Sequence, residues 1–193
     1  MKRQFFLLFL LLAGKVSTAQ FTVTINWYVG DANSVTDTIY YDMDQRLHWP
    51  DFKGRPDNNS IAAAVTESGF GYKMAMRSKD GATNLVITVY CYFNKRSSWV
   101  KKGMDTDYAL THEQHHFDIT YINTYSFVQK LKAAKFTWSN YSGLVDSIYD
   151  ECYASLRKMQ DDYDGQTSNG RIRKIQADWN EKIDSMLARL IIN

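Results

Sequence analysis

Residues 105–134 read DTDYALTHEQHHFDITYINTYSFVQKLKAA, and the reading of this stretch decides the architecture. Upstream of it, apolar residues alternate with polar ones. From Asp105 onward they recur at about 3.6 residues, the period of a helix. Asp105 or Thr106 is placed to cap that helix, which is expected to run to about Ala134. A second helix is expected from Ser139–Ser142, with Val145, Ile148, Cys152, Leu156, Met159 and Tyr163 on one stripe. The segment DGQTSNG, 164–170, should break it. A third helix follows, with Ile172, Ile175, Trp179, Ile183, Met186 and Leu190 in one seam.

The half before Asp105 has the two-residue period of strands. Phe21–Tyr28 (FTVTINWY) alternates, Gly30–Ser34 reads as a turn, and Val35–Tyr41 as a second strand. RLHWPDFKGRP, 46–56, holds both prolines and Gly54, which makes it a loop with aromatic anchors. Ala62–Met76 and Leu85–Phe93 read as two longer strands joined at Lys79–Ala82. In the second, Leu85, Ile87, Val89, Cys91 and Phe93 share one face. Strands followed by helices imply a single α+β domain over 20–193: a small antiparallel sheet packed on a C-terminal three-helix bundle.

The first 19 residues are set apart. Lys2 and Arg3 precede an apolar run, Phe5–Ala13, and Ser17 and Ala19 are small residues placed for a cut after Ala19. Nine apolar residues span about 14 Å as a helix, too short for a stable membrane span. A cleaved export signal and a secreted or periplasmic protein are expected. Losing Lys2, Arg3 and Lys15 would leave 20 basic residues against 21 acidic ones, so the basic excess that nucleic-acid binding requires is missing. Export would permit a bridge between Cys91 and Cys152; two buried free thiols are the alternative reading.

The chemistry lies in Thr111–Asp118, THEQHHFD. His112 and His116 are one turn apart, about 40° around a helix, so their imidazoles can converge on one point. Zinc takes nitrogen and oxygen donors tetrahedrally, and this spacing supplies two. Glu113 sits about 100° round, at the edge of that face, where it suits a general base rather than a ligand. His115, three residues from His112, is a competing donor. The third ligand is left open among Glu151, Asp164 and His48, with Glu151 favoured because it flanks the apolar stripe of the second helix. Asp118, about 160° from His116, points elsewhere. Tyr108, one turn before His112, is a candidate oxyanion contact.

At these residues the chain resembles the bacterial domain-of-unknown-function 922 family, described as predicted secreted zinc-dependent proteases. Three blocks carry the likeness. Leu47–Pro56 (LHWPDFKGRP) is followed by Ala62–Ala64. Ser98-Trp99-Val100 leads into HEQHHFD, 112–118. Tyr163–Gly170 (YDGQTSNG) is followed by Gln176 and Trp179. The family pattern has a His where this chain has Asn169, which suits a helix cap instead.

The resemblance implies a zincin-like fold and an exported zinc-dependent peptidase. Its partner would be a peptide or protein substrate, bound, by analogy with zincins, along the edge of Leu85–Phe93. The alternative is a non-catalytic exported peptide- or glycan-binding protein on the same scaffold, with Trp27, Tyr28, Tyr40, Tyr41, Trp49 and Phe52 as its aromatic surface.

Overall fold

A computed structural model describes residues 20–30 and 36–191. The expected signal segment and the turn at 31–34 lie outside the described residues. The elements run β1 (Phe21–Trp27), β2 (Thr38–Tyr40), a single 3-10 turn (Trp49–Asp51), β3 (Ala64–Val65), β4 (Ser68–Lys79), β5 (Ala82–Asn94) and β6 (Trp99–Val100). Then come α1 (Asp107–Ala133), α2 (Tyr141–Thr167) and α3 (Arg173–Ile191). Strands fill the N-terminal half and three helices the C-terminal half, an α+β arrangement.

β5 is the spine of the sheet. β4 pairs antiparallel along nearly its whole length, from Lys79 opposite Ala82 to Ser68 opposite Phe93. The other edge is shared: β1 runs parallel to Thr83–Val89, and β2 antiparallel to Tyr92–Asn94. The sheet is therefore mixed, not antiparallel throughout. A two-residue period says which face a side chain takes but not which way a neighbouring strand runs, so the direction of β1 was hidden in its alternation. With both edges of β5 occupied, the expected peptide edge at Leu85–Phe93 is not available. The stretch 62–76 is also two strands, broken at Thr66–Glu67: β3 leaves the main sheet to pair with β6.

The inner face of β5 is fully buried, with Leu85, Ile87, Val89, Cys91 and Phe93 at most 1% exposed. It packs on α1, whose Ile119, Phe127 and Leu131 are equally enclosed, and α2 and α3 close the far side with Val145, Leu156 and Ile183. Each such side chain contributes about 1.5–3 kcal/mol by leaving water. Tyr41 and Phe52 are core rather than surface, Trp27 and Trp49 pack against that core, and Tyr28 is exposed. Cys91 and Cys152 are both buried free thiols lying in separate clusters, so no bridge joins them. No described helix is long and apolar enough to cross a membrane.

α1 begins where its sequence says it should: the Thr106 side chain accepts a hydrogen bond from the Ala109 N–H at 3.2 Å. α2 runs through the expected break. Gly165 is tolerated inside it, and the Thr167 hydroxyl bonds back to the Tyr163 carbonyl at 2.7 Å, extending the helix to Thr167. Ser168 and Asn169 then turn left-handed (φ 52° and 53°), and the Asn169 N–H closes α2 on the Asp164 carbonyl at 2.9 Å. Asn169 thus finishes α2 instead of capping α3.

Candidate metal centre

α1 and α2 form an antiparallel hairpin, and its register sets which residues meet. Lys130 faces Glu151, Asn123 faces Met159, His116 faces Gln160 and His112 faces Asp164. Glu151 is therefore held near the hairpin's closed end, paired with Lys130 at 2.5 Å and with its side chain 64% exposed. It does not approach the histidines. Asp164 takes that place, in the last turn of α2 rather than in a loop. His48 is exposed in the Trp49 loop, where its N–H donates to Asp51, and it too lies outside the group.

Three donor atoms converge. His112 Nε2 and His116 Nε2 are 3.2 Å apart, and Asp164 Oδ1 is 3.2 Å from the first and 3.1 Å from the second. Two ligands about 2.05 Å from one ion at a tetrahedral angle are about 3.3 Å apart. The triangle is thus that of three corners of a metal tetrahedron. His112, His116 and Asp164 form a group able to hold a metal ion.

Both imidazoles are oriented from behind. The Gln160 Nε2 donates to the His116 carbonyl at 2.9 Å and to Thr120 Oγ1 at 3.2 Å, which leaves its Oε1 against His116 Nδ1 at 2.6 Å. Nδ1 must then carry the hydrogen, and the lone pair of a neutral ring sits on Nε2, facing the centre. Gln176, 1% exposed, does the same for His112. Its Nε2 donates to Tyr163 Oη and Asn180 Oδ1, both at 2.6 Å, and its Oε1 lies 2.8 Å from His112 Nδ1. The Tyr163 ring stacks on His112 at 4.7 Å and meets His116 edge-on at 4.9 Å.

Three lone-pair atoms facing one another at this distance require a cation between them. Without a metal, a proton serves. Burial works against charging His116, but the hydrogen bond to Asp164 and the charges of Glu113 and Asp164 outweigh it, and its pKa rises to about 9. Burial likewise disfavours the charged Asp164, yet its contacts with His112 and His116 hold it well below the usual carboxylate range. Asp164 also sits at the negative end of the α2 dipole, where a carboxylate is locally unfavourable. Its charge is supported by the site and not by its own helix.

Glu113 is 4% exposed, and its Oε2 has no hydrogen-bond partner among the described residues. An unpaired buried carboxylate oxygen costs free energy unless a cation or a water comes to it. Its carbonyl is held by Thr66 Oγ1 at 3.0 Å. Together with the metal group, Glu113 lines a cleft of about 550 Å³. The cleft is also lined by Ala62–Thr66 and by Tyr108, Asn169, Gly170, Arg171 and Arg173. Asn169 reaches the cleft but is not in the donor triangle.

His115 is turned away. It is 2% exposed, 3.4 Å from Asp184 and 4.0 Å from Asp118, and burial lowers its pKa. Asp118 receives Tyr41 Oη at 2.9 Å and the Gln114 amide at 2.8 Å, on the far face of α1. The Tyr108 hydroxyl donates to the Gly170 carbonyl at 2.6 Å, so its proton is committed to the backbone and not to an oxyanion.

Gln160 and Tyr163 were missed as orienting residues. Gln160 lies four residues before Asp164, on the same helical face, and that spacing was the available signal. Gln176 stands in the third sequence block but carries no spacing that assigns it to a histidine. Compared with known proteins, the chain matches no family model, no curated protein and no solved structure.

Proposed function

We propose that this chain is an exported zinc-dependent peptidase whose metal is held by His112, His116 and Asp164, with Glu113 as general base. The observation that carries the reading is the donor triangle of 3.1–3.2 Å edges beside a buried carboxylate with one unpartnered oxygen. Two neutral nitrogens and one carboxylate suit zinc better than magnesium or calcium, which take oxygen donors. The same set, two histidines and a carboxylate with an open position, occurs in catalytic zinc sites. Asp164 beside the two histidines supports the peptidase reading over the non-catalytic binding protein, because it offers the carboxylate donor that Glu151 does not.

Bound there, zinc supplies a Lewis acid that acidifies a water and polarises a carbonyl. The protein's own residues do the rest. Gln160 and Gln176 keep both Nε2 lone pairs aimed inward. Glu113 takes a proton from the attacking water at its free Oε2 and returns it to the leaving amine. The wall at 62–66 offers an extended chain beside the cleft. Lys101 N–H bonds to the Ala63 carbonyl, 2.8 Å, and Ala64 lies opposite Val100. The alternation of a ladder then turns the Ala64 N–H and C=O away from β6, free for an extended peptide. The three blocks that resemble the secreted zinc-dependent protease family all adjoin α1: Ala62–Ala64 line the cleft with His112 and His116, the Leu47 N–H bonds Gln114 Oε1 at 2.8 Å on the other face of the helix, and Gln176 holds His112.

The test is metal content and peptide hydrolysis of purified protein alongside Glu113→Gln. The variant should retain one zinc per chain and lose about 10²–10⁴-fold in kcat/KM. Hydrolysis undiminished in that variant, or no zinc bound at micromolar supply, overturns the reading.

A further inference from the structure

One end of the cleft is cationic. Arg171 and Arg173 line it beside Tyr108, while Asp164 and Glu113 lie with the metal group. Arg171 donates one Nη2 hydrogen to the Ile61 carbonyl at 2.9 Å, which holds its guanidinium at the start of the alanine wall. Arg173 lies over the Tyr108 ring, 4.5 Å from its centroid. Among the described residues, neither guanidinium has a carboxylate within 4.0 Å. Each anchor uses one hydrogen or one face, so most of each five-donor fork stays open. The corner is also the N-terminal end of α3, whose first turn carries no acidic residue, and the helix dipole adds potential of the same sign.

The alanine wall keeps the cleft open beside this corner. Ala62, Ala63 and Ala64 present methyl groups, and Gly170 adopts φ +74°, where a Cβ would come 3.3 Å from His112 Nδ1. A chain lying along 62–66 therefore has the Glu113 turn of α1 at its Thr66 end, through the Thr66 Oγ1 bond to the Glu113 carbonyl, and the Arg171 guanidinium at its Ile61 end.

We propose that Arg171 and Arg173 form a carboxylate-recognising subsite, so the substrate is a peptide carrying an acidic group to one side of the bond at the metal. This rests on the peptidase reading, and its test separates the two. The carboxylate is either an Asp or Glu side chain or a peptide's free C-terminus. Both are planar anions that the guanidinium fork meets with two hydrogen bonds.

The probes are fluorescein-labelled peptides of neutral sequence in which Glu, Gln or Lys is walked through each position, each with a free or an amidated C-terminus. Turnover is followed on the zinc-loaded protein, with cleavage sites read by mass spectrometry. Affinity is read by anisotropy on the zinc-loaded Glu113→Gln protein, which needs no chemistry. Glu at one position should exceed Gln about tenfold in kcat/KM and in affinity, and Lys should fall below Gln. If only the free C-terminus gives the gain, the terminal carboxylate is the ligand; if amidated Glu peptides give it, the side chain is. In Arg171→Ala/Arg173→Ala, both groups being exposed, the Glu-to-Gln ratio should drop towards one, as it should in 0.5 M salt.

Selective binding without turnover supports this subsite and sinks the peptidase reading. Turnover or binding with equal preference for Glu, Gln and Lys, no binding of any probe, or a preference that survives the double substitution overturns the subsite.

Discussion

Gln160 grips both ends of His116: its amide nitrogen donates to the His116 carbonyl at 2.9 Å, and its amide oxygen meets the Nδ1 of the same residue at 2.6 Å. One side chain from α2 thus fixes the tautomer of a ring on α1 and the rotation of that ring about its own backbone. Gln160→Leu keeps the volume and removes both bonds. It should weaken zinc affinity about 10–100-fold, the usual range for loss of a residue that orients a metal-binding histidine. Chelator competition measures this, and Gln176→Leu should act in the same direction through His112.

The two carboxylates of α2 should separate cleanly. Asp164→Ala removes a corner of the triangle and should abolish stoichiometric zinc at micromolar supply. Glu151→Ala should leave zinc content unchanged and shift stability by no more than about 0.5 kcal/mol, since its partner Lys130 is itself exposed. Metal analysis after gel filtration decides the first, and thermal unfolding the second.

The metal-free protein should lose stability as alkali is added. His116 rises from 6.5 to about 9 on folding, so its contribution is complete below pH 6.5 and lost as pH climbs through 9. Asp164 is lowered from 3.8, so its contribution is present above that value and lost as pH falls further. The pair therefore helps most between about pH 4 and 6.5. In EDTA the unfolding free energy should fall by about 1–3 kcal/mol from pH 6.5 to 9.5. Zinc affinity should rise over the same interval, because the ion needs the unprotonated Nε2. Unfolding curves in EDTA that stay flat across that interval would contradict the assignment.

Gly54 should not accept a side chain. Its N–H bonds the Ser98 carbonyl at 2.7 Å, and a Cβ would lie 2.7 Å from the Arg96 carbonyl oxygen and 2.8 Å from that of Ser98. Gly54→Ala should cost about 1–3 kcal/mol in chemical denaturation. Because the loop it anchors also delivers Leu47 to Gln114 on the histidine helix, part of that loss should appear as faster amide exchange at Leu47.

Local periodicity carried much of this molecule. The alternation in Leu85–Phe93 placed its buried face correctly, Thr106 marked the start of α1, and the spacing of His112 and His116 brought their rings together. These are properties of a single element, written within a turn or a few residues. The parallel course of β1, the break between β3 and β4, and the replacement of Glu151 by Asp164 are relations between elements. They depend on how far one helix slides along another and which edge a strand occupies, and these follow from the packing of the whole core. A carboxylate thirteen residues further along α2 became the third donor because the α1–α2 hairpin registers His112 with Asp164. No pattern within either helix alone contains that distance.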